Sequence, residues 1–203
     1  MGRTSTARDR LIDAAGTLMG DRGYAALGVA EICARADVRK GSFYHFFESK
    51  QALTVEAVEA QWQRRRATWL DCLGGDLPAV RRIERLVRAQ VDSQRADKRD
   101  IGAVQGCLFG NLALELSNSD EVVRARVAEV FDAQIALLTA ALRDAEAEGS
   151  IPPGAATPAT ARSVVAQIEG MVLFAKLAND PDVLDNLWPQ TALLLRIDGA
   201  ESG

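Results

Sequence analysis

Side chains that can bind a nucleic-acid backbone are concentrated in residues 38–50, VRKGSFYHFFESK. This stretch holds the single histidine of the chain, one of its two tyrosines and three of its six phenylalanines. An ammonium, a phenol hydroxyl and an imidazole can all hydrogen-bond phosphate oxygens or base edges. The chemistry that these residue types predict is binding of a polyanion.

The polar and aromatic side chains of this stretch separate onto two faces when it is placed on a helix at about 100° per residue. One face holds Lys40, Gly41, Tyr44 and His45. The three phenylalanines lie roughly opposite, between about 240° and 340° counted from Lys40. We expect the phenylalanines to pack on the preceding helices, while Gly41 lets the polar face approach a groove closely. Lys50, at the start of the next helix beside open backbone N–H groups, is expected to bind phosphate.

Elsewhere the chain offers little for catalysis. Because His45 is the sole histidine, no second imidazole is available for a Ser-His-Asp or Cys-His constellation or for a histidine metal site. Cys33, Cys72 and Cys107 are widely spaced and form no CxxC pair, which argues against a disulfide framework and a zinc site. We therefore expect no enzymatic activity, no cofactor and no metal.

Charge and hydropathy limit the partners. The formal net charge is -4, yet residues 1–50 carry eight Arg and Lys against six Asp and Glu, which leaves 16 against 22 for the remainder. This asymmetry weakly indicates a polyanion-binding head on an acidic body. No apolar run approaches the roughly 18 residues needed to cross a bilayer, and the N-terminus has no apolar signal core. We expect a cytoplasmic protein with no membrane partner.

Helical periodicity runs through almost the whole chain. Apolar residues from Leu11 to Met19 predict a first helix that ends at Gly23. Two short helices follow, one that stops near Asp37 and one that runs to Phe47, and a long helix then begins after Ser49 and closes at two glycines. Further helices are predicted at about 77–97, 106–117, 120–148, 158–178 and 182–197. The sequence predicts an all-α fold of about nine helices.

The segment LIDAAGTLMGDRGYAALGVAEICARADVRKGSFYHFFESKQAL resembles the DNA-binding domain of the TetR family of transcriptional regulators. The similarity extends from DAA and RGY in the first helix through GSFYHFFESKQAL, without a gap. It implies a helix-turn-helix whose third helix enters the major groove, followed by a variable helical domain that dimerises and binds a small-molecule effector. The implied division is a DNA-binding domain at residues 1–50 and an effector-binding and dimerisation domain at residues 51–203.

The resemblance also implies which residues contact DNA. Phosphate contacts fall on Lys40, Tyr44, His45 and Lys50. Base-edge or groove contacts fall on Arg39, Lys40, Gly41 and Ser42. Where the family often has two hydroxyl residues at the start of helix two, this chain has Leu27 and Gly28, so we expect Gly28 to cap the helix and donate its backbone N–H without a hydroxyl contact.

Two apolar helices within residues 158–197 predict the dimer interface, since they carry more apolar surface than one exposed helix pair should show. In the TetR family the last two helices pair with their symmetry mates, which suits a palindromic operator. The alternative is that they pack inside the subunit. The predicted interface residues are Ile168, Met171, Val172, Leu187 and Leu194.

The predicted effector site centres on Cys107, which follows a glycine at a helix start, where open N–H groups and the helix dipole lower a thiol pKa. This segment and the helix around Lys176 resemble a NemR-like and acrylate-responsive subgroup of the family. That resemblance implies sensing of reactive electrophiles or oxidants at Cys107, with Lys176 nearby. Alternatively, Cys107 is a small buried hydrophobe and Lys176 pairs with Asp180.

The residues and the resemblance together predict a homodimeric repressor that binds a double-stranded DNA operator and releases it when a small-molecule effector binds. The effector is a reactive electrophile or oxidant, or a reversible drug-like or acyl-CoA inducer. The arginine cluster between Trp62 and Trp69 is either an anion site for such an inducer or a solvated surface. A more remote alternative is a helical protein-binding adaptor without DNA specificity.

Overall fold

The computed structural model describes residues 6–197. Within that range the chain forms nine α-helices and one 3-10 turn, and no strand occurs there, so the all-α prediction is confirmed. The helices are α1 (Ala7–Arg22), α2 (Val29–Arg35), α3 (Lys40–Phe46), α4 (Lys50–Leu73), α5 (Ala79–Ile101), α6 (Leu108–Leu116), α7 (Glu121–Ala147), α8 (Pro158–Ala178) and α9 (Leu187–Leu194). The 3-10 turn is Pro181–Leu184.

Local sequence signals set several helix ends. Thr6 and Asp9 form a capping box at the start of α1, in which each side chain accepts from the other's backbone N–H at 3.2 Å. The predicted stop of α1 at Gly23 is confirmed, because the glycine has a φ of 81°. Ser49 accepts from the backbone N–H of Ala52 at 3.1 Å before α4, as its predicted N-cap role requires.

The described residues divide into two compact units. The first joins the residues up to Arg65 to Cys107–Val130, so α6 belongs with α1, α2 and α3. Its core holds fully buried Leu11, Met19, Ile32, Phe43, Leu53, Phe109 and Leu112. This division by contacts differs from the predicted functional division at residue 50, which stays a prediction. Residues 1–5 and 198–203 of the two predicted domains lie outside the described residues.

The second unit contains Arg66–Gly106 and the described residues from Phe131 onward. Arg82 and Arg85 of α5 donate to the carbonyls of Leu73, Cys72 and Gly74, which would otherwise lack partners at the end of α4. Thr157 caps α8 and Asn179 ends it in the left-handed conformation.

The predicted helix at 182–197 is wrong in extent. The chain forms the 3-10 turn and then α9, which starts at Leu187. Pro189 has no N–H and is tolerated only in the first turn of a helix, so a helix that ran through it from residue 182 would be interrupted. Between residues 6 and 197 no helix combines the length and apolar character needed to cross a membrane.

Candidate DNA interface and effector site

The two short helices α2 and α3 meet across a turn at residues 36–39 that α1 holds in place. Asp37 has a φ of 51°, the left-handed conformation that lets the chain reverse quickly. Arg10 of α1 donates to the carbonyl of Ala36 at 2.9 Å and to that of Asp37 at 3.3 Å. Arg10 therefore ties the turn between the two short helices to α1, and two helices joined by a tight turn form the arrangement of a helix-turn-helix.

The polar face predicted for α3 is solvent-exposed. Lys40, Gly41 and His45 are exposed and Tyr44 is 61% exposed, whereas Phe43 is fully buried and its ring contacts the Tyr44 ring edge-on at 5.1 Å. Phe46 corrects the expectation that all three phenylalanines pack inward, because it is 39% exposed. It lies at the edge of the apolar face, about 60° from Phe43, so packing covers it only in part.

The predicted base-contacting residues lie at the start of α3. Arg39 is the exposed N-cap residue and Ser42 is half-buried. A Cβ added at Gly41 would meet no atom within 4 Å, so nothing within the described residues requires glycine at this position. The open space at Gly41 would let a DNA groove approach the backbone of α3 closely.

Gly28 is the N-cap of α2, as expected, and no side chain caps that helix end. The glycine is exposed, and its carbonyl accepts from the N–H groups of Glu31 and Ile32. The first N–H groups of a helix have no partner within the helix. They can donate to a phosphate oxygen here without a hydroxyl side chain.

Lys50 contacts the turn between α1 and α2, and its predicted phosphate contact stays a prediction. Its ammonium donates to the carbonyls of Tyr24 at 3.0 Å and Leu27 at 2.8 Å and lies 3.7 Å from the centre of the Tyr24 ring. Burial lowers the pKa of Lys50, and attraction to Glu115 opposes that shift. Because the ammonium is occupied by the protein, the predicted phosphate contact of Lys50 finds no support in this geometry.

The turn that Lys50 binds is also held by a carboxylate. Glu115 of α6 accepts from the backbone N–H of Tyr24 at 2.7 Å and from that of Ala25. Sequence reasoning missed Glu115, since no spacing rule connects residues separated by 91 positions.

Three of the predicted dimer residues are corrected. Ile168, Val172 and Leu187 are buried inside the second unit, so they pack within the subunit. Met171 is half-buried and Leu194 is 38% exposed. The apolar side chains that remain exposed on α8 and α9 are Leu173, Phe174, Leu177, Leu193 and Leu194. When a helix is apolar on both sides, its sequence shows no separate polar face. The packing of the folded subunit then decides which apolar side stays exposed to solvent.

Cys107 is the N-cap residue of α6, so its predicted place at a helix start is confirmed. The thiol is 5% exposed, and Nη1 of Arg65 lies 3.6 Å from its Sγ. The same guanidinium lies 5.7 Å from the centre of the Phe109 ring. Sequence reasoning treated Arg65 only as part of an arginine cluster, and no pattern connects it to a thiol 42 positions away.

The other two cysteines are also buried thiols. Burial raises the pKa of the Cys33 thiol, against a smaller opposing effect of Lys40. Burial likewise raises the pKa of Cys72, with Arg85 opposing. Cys72, near the C-terminal end of α4, is 4% exposed and is therefore not a surface thiol.

Lys176 lies in the last turn of α8 and is half-buried in the second unit, whereas Cys107 belongs to the first. Their predicted proximity stays a prediction. In the arginine cluster, Arg64 pairs with Asp13 at 3.0 Å while Arg65 lies against Cys107. These two arginines therefore have separate partners and do not form one anion site.

Two buried N–H donors in the second unit have no acceptor among the described residues, namely Trp69 Nε1 and Gln134 Nε2. Both residues are nearly fully buried. Leaving a buried donor unsatisfied costs about 1–3 kcal/mol, so such groups usually have a partner.

A helix-turn-helix with an exposed polar face, followed by further helices, defines a DNA-binding regulator. Residues 11–57 match the family model "Bacterial regulatory proteins, tetR family", and residues 79–190 match "Tetracyclin repressor-like, C-terminal domain". The chain belongs to the TetR family of transcriptional regulators. The family resemblance of the N-terminal segment is thereby confirmed.

Similar proteins support this assignment over most of the chain. The HTH-type transcriptional repressor DhaR of a Mycobacterium species is 29% identical over 91% of this chain and 89% of its own length. The transcriptional regulator AcuR of Cereibacter sphaeroides is 31% identical over 89% of this chain and 81% of its own. A regulatory protein TetR from Rhodobacter sphaeroides has a crystal structure that superposes with a TM-score of 0.84 at 29% identity, covering 95% of this chain and 98% of that one.

The likeness to NemR is weaker. The Escherichia coli repressor NemR is 28% identical over 68% of this chain and 67% of its own length. The crystal structure of its reduced form has a TM-score of 0.78 at 25% identity, covering 93% of this chain and 97% of that one. These values support the family, and membership of the NemR-like and acrylate-responsive subgroup remains a hypothesis.

Proposed function

We propose that this TetR-family repressor is a cytoplasmic homodimer that binds a palindromic operator through α3 and releases it when an effector reacts with Cys107. The observation that carries the DNA-binding assignment is the exposed polar face of α3 above a fully buried Phe43. Arg39, Gly41 and Ser42 contact base edges in this proposal, and phosphates bind Lys40, Tyr44, His45 and the backbone N–H groups that follow Gly28.

The proposed dimer contact uses the exposed side of α8. Ala166, Gly170, Leu173 and Leu177 recur at intervals of four, three and four residues, which is the spacing of a helix-pairing seam. The small residues Ala166 and Gly170 let a second helix approach α8 closely. The large residues Leu173 and Leu177 pack against that helix nearer the C-terminal end of α8. An isologous contact of this kind presents the two α3 helices with two-fold symmetry, which matches a palindromic operator.

Two observations support Cys107 as the covalent trigger. Cys107 is the N-cap residue of α6, and Nη1 of Arg65 lies 3.6 Å from its sulfur, where a cation can pair with the thiolate that the reaction requires. A thiolate adds to the double bond of N-ethylmaleimide by forming one C–S bond, and the resulting carbanion takes a proton from solvent. Because the thiol is only 5% exposed, we expect the reaction to require local opening around α6.

An operator-release assay with N-ethylmaleimide tests this trigger. Wild type and the matched controls Cys33→Ser and Cys72→Ser should release the operator, whereas Cys107→Ser should stay bound. Arg65→Gln should slow labelling of Cys107, and Lys176→Ala should slow it only if that ammonium approaches the thiol. Release of Cys107→Ser at the wild-type rate, or labelling of Cys72 first, would exclude the covalent mechanism.

The buried donors favour a second candidate, a reversible effector that carries an acceptor oxygen. A carbonyl or carboxylate group in the second unit could accept from Trp69 Nε1 or from Gln134 Nε2. We would measure thermal shifts with acetate and acetamide as probes, using wild type and Trp69→Phe. Stabilisation of wild type that Trp69→Phe loses would support this effector class. Buried water on both donors would instead leave the melting temperature unchanged by either probe.

A further inference from the structure

The turn at residues 24–27, which joins α1 to α2, is held by side chains from two distant parts of the chain. Glu115, near the end of α6, accepts from the N–H of Tyr24 at 2.7 Å and from the N–H of Ala25. Lys50, at the start of α4, donates to the carbonyls of Tyr24 at 3.0 Å and Leu27 at 2.8 Å. All of these residues belong to the first unit, so both the donors and the acceptors of one short turn are bound by charged groups.

The approach of α6 to this turn is close. A Cβ at Gly23 would lie 3.1 Å from Oε2 of Glu115, so the glycine leaves room for the carboxylate. One helical turn earlier on the same face of α6, Asn111 donates to the carbonyl of Gly20 at the end of α1, at 3.4 Å. Hydrogen bonds to an ionised carboxylate are stronger than those between neutral groups, so Glu115 is the main polar link of this contact.

The held turn leads directly into the DNA-binding helices. Gly28, the N-cap of α2, follows Leu27, whose carbonyl binds Lys50. At the far side of α2, Arg10 holds the turn that leads into α3. Both ends of α2 are therefore held by side chains from other helices, and Glu115 holds the turn before α2 from a helix outside α1–α4.

We propose that Glu115 is a positioning residue for operator binding, which, together with Lys50, holds the start of α2 where α3 can enter the groove. Glu115 touches no DNA in this proposal and acts through the turn. Cys107 caps the opposite end of the same nine-residue helix, about 12 Å away along its axis. A second part of the proposal rests on the proposed function at Cys107. When reaction at Cys107 displaces α6, Glu115 transmits that displacement to the helix-turn-helix.

Operator binding without effector tests the positioning role. We would measure operator affinity across a salt series for wild type, Glu115→Ala, Glu115→Gln and the charge-matched control Glu121→Ala, whose carboxylate pairs with Arg124 on the surface. Removing a negative charge should by itself tighten binding to DNA. Loss of positioning should weaken operator binding, so we expect Glu115→Ala to bind the operator about tenfold more weakly than wild type. Glu121→Ala, which loses only a charge, should bind as tightly as wild type or more tightly.

Two further readouts separate positioning from general destabilisation. The slope of affinity against salt should be unchanged in Glu115→Ala, because the phosphate contacts are the same. Glu115→Gln should recover part of the affinity, since its amide oxygen still accepts from the turn. Wild-type affinity in Glu115→Ala, or an equal loss in Glu115→Gln, would overturn the proposal. Circular dichroism melts set the assay temperature below the unfolding transition of every variant.

The regulatory part has its own test. N-ethylmaleimide should reduce the operator affinity of Glu115→Ala by a smaller factor than that of wild type, because the link from α6 is already broken. If Cys107→Ser is released normally, the covalent sensor fails, yet the effector-free comparison still decides the positioning role. If release depends on Cys107 and Glu115→Ala responds by the full wild-type factor, the sensor stands and transmission through Glu115 is overturned.

Discussion

The helices α3 and α8 both expose one face to solvent, but the two faces are built from opposite chemistry. On α3 the exposed residues are Lys40, Gly41, Tyr44 and His45, with Phe46 partly exposed at the edge of the face. On α8 they include Leu173, Phe174 and Leu177, the last of which is 80% exposed. A polar face suits a hydrated polyanion, whereas an apolar face is stabilised by leaving water. The difference supports the proposal that α3 recognises DNA and that α8 pairs with another apolar helix.

The largest expected effect is on the α8 face. Leu177→Glu should dissociate the dimer without unfolding the subunit, because an unpaired charge in an apolar interface costs roughly 3–5 kcal/mol. Operator affinity should fall with the dimer. Sedimentation and circular dichroism measure the two properties separately. Ile168→Glu is the contrast, since it places the charge inside the subunit and should unfold it. An unaltered dimer in Leu177→Glu would place the interface elsewhere.

The next prediction divides the α3 face into two kinds of contact. Arg39→Ala should change the preference among operator sequences by about 1–3 kcal/mol, whereas Lys40→Ala should weaken all sequences alike and lower the salt slope by about one unit per subunit. Binding assays on one operator and its point variants, repeated over a salt series, measure both quantities. If the two variants had the same effects, the division into base and phosphate contacts would be wrong.

Lys50 sharpens the comparison because it lies beside the α3 face without belonging to it. Lys50→Ala should leave the salt slope unchanged and lower the stability of the first unit by about 1–2 kcal/mol, since two carbonyls lose a charged donor. Thermal unfolding and the salt series together test this. A reduced salt slope in Lys50→Ala would restore the phosphate contact that the sequence predicted.

The α3 face could be predicted from sequence because, at the helical period, its polar residues fall on one face and its apolar residues on the other. The same rule failed on α8, where Ile168 and Leu177 are both apolar but one is buried and the other exposed. Periodicity identifies apolar residues and does not say which neighbour covers them. The contacts of Arg65 with Cys107 and of Glu115 with Tyr24 gave no sequence signal, because they depend on how separate helices pack.

Glycines on the two faces allow the smallest and most specific test. A Cβ at Gly41 of α3 or at Gly170 of α8 would meet nothing within 4 Å, and the same holds for Gly16 of α1. Alanine should therefore stabilise each helix by up to about 1 kcal/mol. Gly41→Ala should nevertheless weaken operator binding, because its methyl group enters the space that the groove would use. Gly170→Ala should weaken dimerisation instead.

Gly16→Ala is the matched control, which should raise the melting temperature and change neither interaction. Stability, operator affinity and dimer dissociation would be measured for all three variants. The opposite signs matter more than the sizes, since a residue that stabilises the isolated subunit and weakens a single interaction must lie where that partner approaches. If Gly41→Ala bound the operator as tightly as Gly16→Ala, the open space on α3 would not be the groove-facing surface, and the contrast between the two faces would lose its most direct support.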